Sequence, residues 1–466
     1  MYLLRNISFI IAMLAMISGI ARAADELRAG VAVVDITPPV PFRMSGYFHE
    51  RVSTGVKDPL HAKAVVIQQG GEAAALVFCD LIGIPLDVST RSRQKASDAT
   101  GIPAEHIAVA ATHSHTGPLY FGALRKHFHD RSVARLGKDP YEVVDYPAEL
   151  VDHIAAAIVK AQSELQPVRL EAGYANEDRL PFNRRFLMRD GSVRFNPGQL
   201  NPDIIRAVGP ADPQIGIVTL KRRDTSAPLA AVVAFALHLD TTGDTEYSAD
   251  FPKFTEDRLK ESHGPEFTLL FGAGTCGDIN HIDVTTREKR SANEIGDMLA
   301  EAVGQAIQTD ALTTIEKPSL AVRSTKINVP LQQYTEAETA DARAKMALIG
   351  GRELPFLEQV KASKIMAIEL RGGETMSLEV QAFRLGDETA IVTLPGEVFV
   401  ELGLAIKAAS PFNTTLVMEL ANDALGYIPT QKAFVEGSYE TVNSVVQPGS
   451  GEKLVEAAIG LLKELE

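Results

Sequence analysis

Two apolar patterns alternate along this chain. Short, nearly continuous apolar runs rich in Val, Ile, Leu and Ala stand between Gly, Pro and Asp breaks, whereas longer stretches repeat their apolar positions every three to four residues. The first pattern predicts strands at 31–37, 62–69, 73–80, 107–112, 169–174, 215–221, 230–239, 267–271, 376–384, 390–394 and 416–422. Gly70-Gly71-Glu72 joins two of these as a hairpin, and Gly386-Asp387 turns another. The second pattern predicts helices at 89–100, 336–349 and 454–465, and one beginning at Pro147, in which Leu150, Ile154, Ile158 and Leu165 share a face. Ser291-Ala-Asn-Glu294 is a capping box, followed by a stripe of Ile295, Met298, Leu299, Val303 and Ile307. Asp250-Phe-Pro252 caps a further helix, with proline where its missing donor costs little. Helical residues also follow Pro395-Gly396-Glu397, up to position 408.

Strands and helices interleave with no repeat and no clear linker. The expected fold class is therefore α/β (α+β), a large mixed sheet flanked by helices in a single unit spanning 24–466. Residues 119–146 break the pattern. They carry His127 and His129 among Lys126, Asp130 and Arg131, and read as a solvated loop rather than a second metal site.

Composition narrows the function. A net charge of −14 with no basic cluster argues against nucleic acid and anionic membrane surfaces as partners. A hydrophobic content of 45% supports a large core that needs no disulfide, although Cys79 and Cys276 could pair in an oxidising compartment. The N-terminus has Arg5, an apolar run over 7–20 and Ala21-Arg22-Ala23, the form of a secretory signal cut after Ala23. No later stretch is long and apolar enough to span a bilayer, so the mature protein is expected in the periplasm or outside the cell.

The candidate chemistry starts at 106–118, an apolar run that ends in Thr112-His-Ser-His-Thr-Gly-Pro118. On an extended strand, residues i and i+2 project to one side, so His113 and His115 would aim their imidazoles into a common cleft. An apolar strand also delivers His238, and Glu397 follows Pro395-Gly396 at the end of another. Two histidines and one carboxylate at separate strand ends form a common catalytic zinc shell with a position open to water. Such long spacings carry little specificity by themselves. Taken by themselves, Arg184 beside Arg185 reads as a partner of a surface acid and Tyr439 as a packed aromatic. Asp278 reads as a turn residue or as an acid orienting a ligand histidine.

The landmarks then fall into a recognisable order: Asp35-Ile-Thr37, Met44-Ser-Gly-Tyr47, Thr112-His-Ser-His-Thr-Gly-Pro118, Asn183-Arg184, His238, Gly277-Asp-Ile-Asn280, Pro395-Gly-Glu397, Asn422-Asp423, Tyr427-Ile-Pro-Thr430 and Tyr439-Glu440. Together they resemble the catalytic domain of the neutral/alkaline (non-lysosomal) ceramidase family over nearly the whole mature chain. The resemblance implies a zinc amidohydrolase holding one Zn2+ per chain through His113, His238, Glu397 and the phenol oxygen of Tyr427. It also implies that Gly46, His115, Arg184 and Tyr439 face the substrate, a lipid or small-molecule amide, with His115, Arg184 and Tyr439 taking part in catalysis.

Three departures shape the expectation. The family's Gly-Asp-Val-Ser-Pro-Asn element carries a serine where this chain has Asn280, which excludes an acyl-enzyme route through that position. Leu119-Tyr120 replaces the glycines that follow the family's His-x-Gly-Pro and reshapes the pocket wall. The immunoglobulin-like C-terminal domain of ceramidases is also expected to be missing. The substrate expectation therefore extends from ceramide to other N-acyl lipids and smaller amides. A metallophosphoesterase fits less well, because its Asp-x-His and Gly-Asn-His clusters do not occur. The remaining alternative is a non-catalytic exported binding protein.

Overall fold

The apolar runs assemble into two sheets that share one core. The computed structural model of the protein describes residues 26–309 and 311–466, and the expected signal peptide lies outside them. The principal strands of the larger sheet are β1 (Arg28–Asp35), β2 (His61–Gln69), β3 (Glu72–Cys79), β4 (Ile107–Ala111), β5 (Gln166–Asn176), β6 (Gln214–Arg222), β7 (Pro228–Phe235) and β8 (Thr268–Ala273). They lie in the order β8-β7-β6-β5-β1-β2-β3-β4. The smaller sheet is β9 (Pro318–Pro330), β10 (Thr375–Gly386), β11 (Thr389–Thr393) and β12 (Thr414–Met418), in that order.

The principal helices are α1 (Leu86–Thr100), α2 (Gly122–Leu136), α3 (Tyr146–Ser163), α4 (Phe251–His263), α5 (Ala292–Gln308), α6 (Phe356–Arg371), α7 (Val400–Ala409) and α8 (Ser450–Leu465). One face of the larger sheet packs on α1, α3, α4 and α5, where Ala62, Ala64 and Val66 of β2 meet Leu150, Ile154, Leu259 and Leu299. The alternate residues Val65 and Ile67 point the other way and share a core with Val322, Phe383, Ile391 and Leu416 of the smaller sheet. The far face of that sheet, with Leu378, Val380 and Val392, is covered by Leu402 and Ile406 of α7 and by Leu454 and Leu461 of α8. Strands buried on both faces need apolar side chains at consecutive positions, which is why the sequence shows unbroken runs rather than alternation. Each large apolar side chain buried in these layers stabilises the fold by about 1.5–3 kcal/mol relative to its exposed state.

Three parallel pairs break the otherwise antiparallel sheets: β3 with β4, β7 with β8, and β11 with β12. A parallel pair requires a crossover, and α1, α4 and α7 supply the three. Candidate site residues follow the C-terminal ends of strands in all three units, the usual place for chemistry in α/β sheets.

The structure corrects two expectations outside the site. The stretch read as a solvated loop contains helix α2, whose Phe128 packs with Leu119 against Ala362 and Ile365 of α6. Only Phe128 and Ser132 of α2 are buried, so the helix lacks the broad apolar stripe that periodicity detects. Helix α6 escaped the sequence reading for the opposite reason: Val360, Ala362 and Ile365 are buried while Phe356, Leu357 and Leu370 are exposed, which spreads apolar residues around its circumference. Cys79 and Cys276 are both free, buried thiols. Among the described residues no helix is long and apolar enough to cross a membrane.

Candidate metal and substrate site

The His-Ser-His stretch does not run as a strand. β4 ends at Ala111, and His113 adopts a left-handed backbone with φ 81°. The two imidazoles still converge, with His115 Nε2 standing 3.4 Å from His113 Nε2. Their convergence comes from a pinned turn instead of strand alternation. The His113 N–H donates to Leu81 O (2.9 Å), the His115 N–H donates to Leu239 O (3.2 Å), and Ser114 Oγ donates to Ser248 O (2.6 Å). A left-handed conformation outside glycine and asparagine costs of order 1–3 kcal/mol and persists only where its surroundings enforce it.

His238 follows β7 and places its Nε2 3.0 Å from that of His113 and 3.1 Å from that of His115. Glu397 enters from the end of β11, with its Oε2 3.4 Å from His113 Nε2 and without a hydrogen-bond partner despite its burial. Its backbone pairs in parallel with Tyr427, so both side chains are set by one short ladder, Glu397–Val398 against Tyr427–Ile428. Burial works against charge on Glu397, but His113, Arg184 and Tyr427 outweigh it and hold the carboxylate below its usual range. Burial, followed by the neighbouring His113, holds His115 and His238 well below the ordinary imidazole range, so both rings are neutral.

This donor set fits a divalent cation. His113 Nδ1 lies 2.9 Å from Ile82 O and donates to it, which turns the Nε2 lone pair toward the other two rings. Three imidazole nitrogens within 3.4 Å of one another, beside a carboxylate oxygen without a hydrogen-bond partner, bring four metal-ligating atoms to one point, an arrangement that can take a cation. Two or three histidine nitrogens with a carboxylate are the ligand chemistry of catalytic zinc.

The residues around this point divide into two groups. Arg184 and Tyr439 border the cluster. Arg184 Nε donates to Glu440 Oε1 (2.9 Å), its Nη2 donates to Gly277 O (2.7 Å), and its guanidinium lies over the rings of Tyr427 and Tyr439. Glu440 also accepts from Arg185 Nη1 at 2.9 Å, so one fully buried carboxylate holds both arginines. Tyr439 stacks on Phe195 with ring centroids 4.5 Å apart, and burial pushes its phenol up to about 12. Burial likewise raises the Tyr427 phenol well above its usual value.

Gly46 serves His115 directly. At φ 101°, a Cβ on Gly46 would lie 2.6 Å from His115 O and 2.8 Å from its Cβ. Gly46→Ala is expected to displace the His115 backbone and to lower the thermal unfolding midpoint by several degrees, as measured by circular dichroism melting.

Other sequence expectations sort themselves by contact. Asp278 touches no histidine: it accepts from Val400 N (2.8 Å) at the start of α7 and from Asn183 Nδ2 (2.7 Å), so it fixes the Gly277-Asp278 turn against Glu397. Asn280 Nδ2 donates to Asn196 Oδ1 at 2.6 Å. His129 lies near Asp139 and Glu142, but those acids are already held by Arg43 and Arg125, which makes that cluster an ion-pair network. The sequence reading missed Asp240, whose Oδ1 lies 3.6 Å from His115 Nδ1 and accepts from Tyr47 Oη at 2.5 Å. The signal available was its place two residues after His238, in a loop already marked by a ligand candidate.

The cluster opens on two cavities. One of about 860 Å³ is walled by Ile82, Leu86, Leu119, Phe121, Leu124 and Leu425. The other, about 350 Å³, runs past Arg184, Phe195, Asp240 and Phe356.

No family model matches the chain, and no curated protein matches it in sequence. Among solved structures, the neutral ceramidase of Pseudomonas aeruginosa superposes with a TM-score of 0.70 at 20% identity, over 94% of this chain and 75% of that one. The chain has a neutral ceramidase-like fold. A ceramidase complexed with C2 matches with the same TM-score at 19% identity and the same coverage of both chains. The ceramidase-like fold thus spans 94% of this chain.

Proposed function

We propose that this protein is an exported zinc-dependent amidohydrolase that cleaves the N-acyl bond of ceramide or a related N-acyl lipid or amide. The observation that carries the reading is the convergence of three imidazole nitrogens with a carboxylate oxygen that has no hydrogen-bond partner, at the mouth of a largely apolar cavity. His113, His238, Glu397 and the Tyr427 phenol would hold one Zn2+ per chain. Bound there, zinc supplies Lewis-acid polarisation of the amide carbonyl and lowers the pKa of a water toward about 7.

The side chains of the chain do the rest. His115 is neutral, so its ring can take a proton from the attacking water and pass it to the leaving amine. Asp240 Oδ1 stands 3.6 Å from the other ring nitrogen, where its charge favours the protonated form of that imidazole. Tyr439 keeps its phenol proton and can donate it as a hydrogen bond to the oxygen on which negative charge develops. Arg184, held by Glu440, Gly277 and the Tyr427 phenol, presents a fixed charge that favours the same oxygen.

His115→Ala is expected to retain stoichiometric zinc and to lose about 10²–10⁴-fold in kcat on a fluorogenic N-acyl amide. Loss of zinc in that variant would instead make His115 a ligand, and full turnover would remove it from the mechanism. A protein that binds zinc but turns over no N-acyl amide or ester would be a binding protein on the same scaffold. Export is checked by the N-terminus of the protein secreted from its host, expected at Ala24.

A further inference from the structure

The wall of the larger cavity carries one cation that no ion pair holds among the described residues. Lys364 lies on α6 and lines that cavity together with Ala367, Leu370 and Arg371, one face of the helix. Its residue exposure is 9%, and among the described residues its ammonium has neither an ion pair nor a hydrogen-bond partner. Arg371, by contrast, pairs with Asp423 at 3.1 Å, and Arg91 stands exposed in solvent. An anion arriving at the cavity would replace the part of the hydration that packing of the side chain strips from the Lys364 ammonium. Burial lowers its pKa to about 8, with Glu397 pulling the other way, so it carries its charge at neutral pH.

The position of Lys364 says which part of a substrate it would meet. A Cβ on Gly426 would lie 2.9 Å from Lys364 Nζ, so the ammonium rests against a bare α-carbon. Gly426 O accepts from the Glu397 N–H at 2.9 Å, and the next residue is Tyr427. The charge therefore stands beside the backbone that sets two of the proposed metal ligands. Leu86, Leu119, Phe121 and Leu425 supply the apolar wall of the same cavity. A neutral N-acyl sphingoid base offers hydroxyl and carbonyl acceptors but no anion to neutralise this ammonium.

We propose that the preferred substrate is an N-acyl amino acid, whose carboxylate pairs with Lys364 while its acyl chain occupies the apolar wall. Lys364 is on this view a specificity-determining residue, and the inference rests on the amidohydrolase reading above. Hydrolysis consumes one water: the amide C–N bond breaks, the hydroxyl ends on the acyl carbon, and the proton goes to the leaving amine. The products are a fatty acid and a free amino acid. The carboxylate lies one carbon from the amide nitrogen, which suits a cation placed beside the ligand-bearing backbone.

The test compares N-lauroylglycine with its neutral isostere N-lauroylglycinamide on the zinc-loaded protein, by calorimetric binding and by release of laurate. The acid is expected to bind about tenfold or more tightly than the amide, since an ion-paired hydrogen bond in a buried site is worth at least that ratio. Lys364→Met and Lys364→Gln should bring the ratio to about one, and their circular dichroism and melting curves establish that both are folded. Equal binding of the two ligands by the wild type, or a preference that survives in both variants, overturns the carboxylate site. Turnover separates the two readings. Laurate released from both ligands without preference leaves the amidohydrolase standing and removes the role of Lys364. Tight binding of the acid without release from either ligand overturns the amidohydrolase, and with it the claim that the acid is a substrate.

Discussion

His113→Ala is expected to reduce zinc from about one ion per chain to near zero and to lower kcat/KM for N-acyl amide hydrolysis by about 10³-fold or more, because a metal Lewis acid contributes several kcal/mol and each 1.36 kcal/mol is a factor of ten. His113 is the hinge of the cluster. Its Nε2 lies within 3.4 Å of both other imidazole nitrogens and of Glu397 Oε2, and its Nδ1–H is committed to Ile82 O. His238→Ala and Glu397→Ala should give the same double loss. Metal analysis together with turnover checks it: unchanged zinc stoichiometry in any of the three variants would remove that residue from the proposed shell.

The second large effect concerns stability. Glu440→Ala is expected to destabilise the fold by about 3–5 kcal/mol in urea unfolding, because it leaves the charges of Arg184 and Arg185 buried without their shared partner. Glu440→Gln keeps an acceptor oxygen and should cost less. Both variants should also lower kcat, since Arg184 loses the bond that aims it past Tyr427 and Tyr439. Unfolding midpoints within experimental error of the wild type would show that this buried triad does not support the fold.

The strands and most helices were legible because burial leaves direct marks in sequence. The capping box at Ser291 and Glu294, the striped helix from Tyr146 and the double-sided apolar strands all follow from local chemistry. What stayed hidden depends on tertiary placement. The i, i+2 argument for His113 and His115 reached convergence by the wrong geometry, since a left-handed residue held by Leu81 O does the work of an extended strand. Helices α2 and α6 lack a single apolar face because they pack on each other and wall a cavity. Nothing local in Ser363-Lys364-Ile365 indicates that the ammonium ends beside Gly426, more than sixty residues further on.

The candidate site itself was legible mainly through the order of its motifs. His113, His238 and Glu397 are far apart in sequence, and spacing alone does not join them; the three crossovers do, by ending strands on one side of the molecule. Arg184 illustrates the limit. By itself it reads as the partner of a surface acid, whereas the acid it pairs with, Glu440, is fully buried.

The most direct test of the central claim is the rate of hydrolysis of a fluorogenic N-acyl amide by the purified protein, followed through removal of metal with a chelator and addition of one equivalent of Zn2+. The account requires turnover that disappears on chelation and returns with zinc. Turnover indifferent to the chelator, or a zinc-loaded protein that leaves the amide intact, would contradict it.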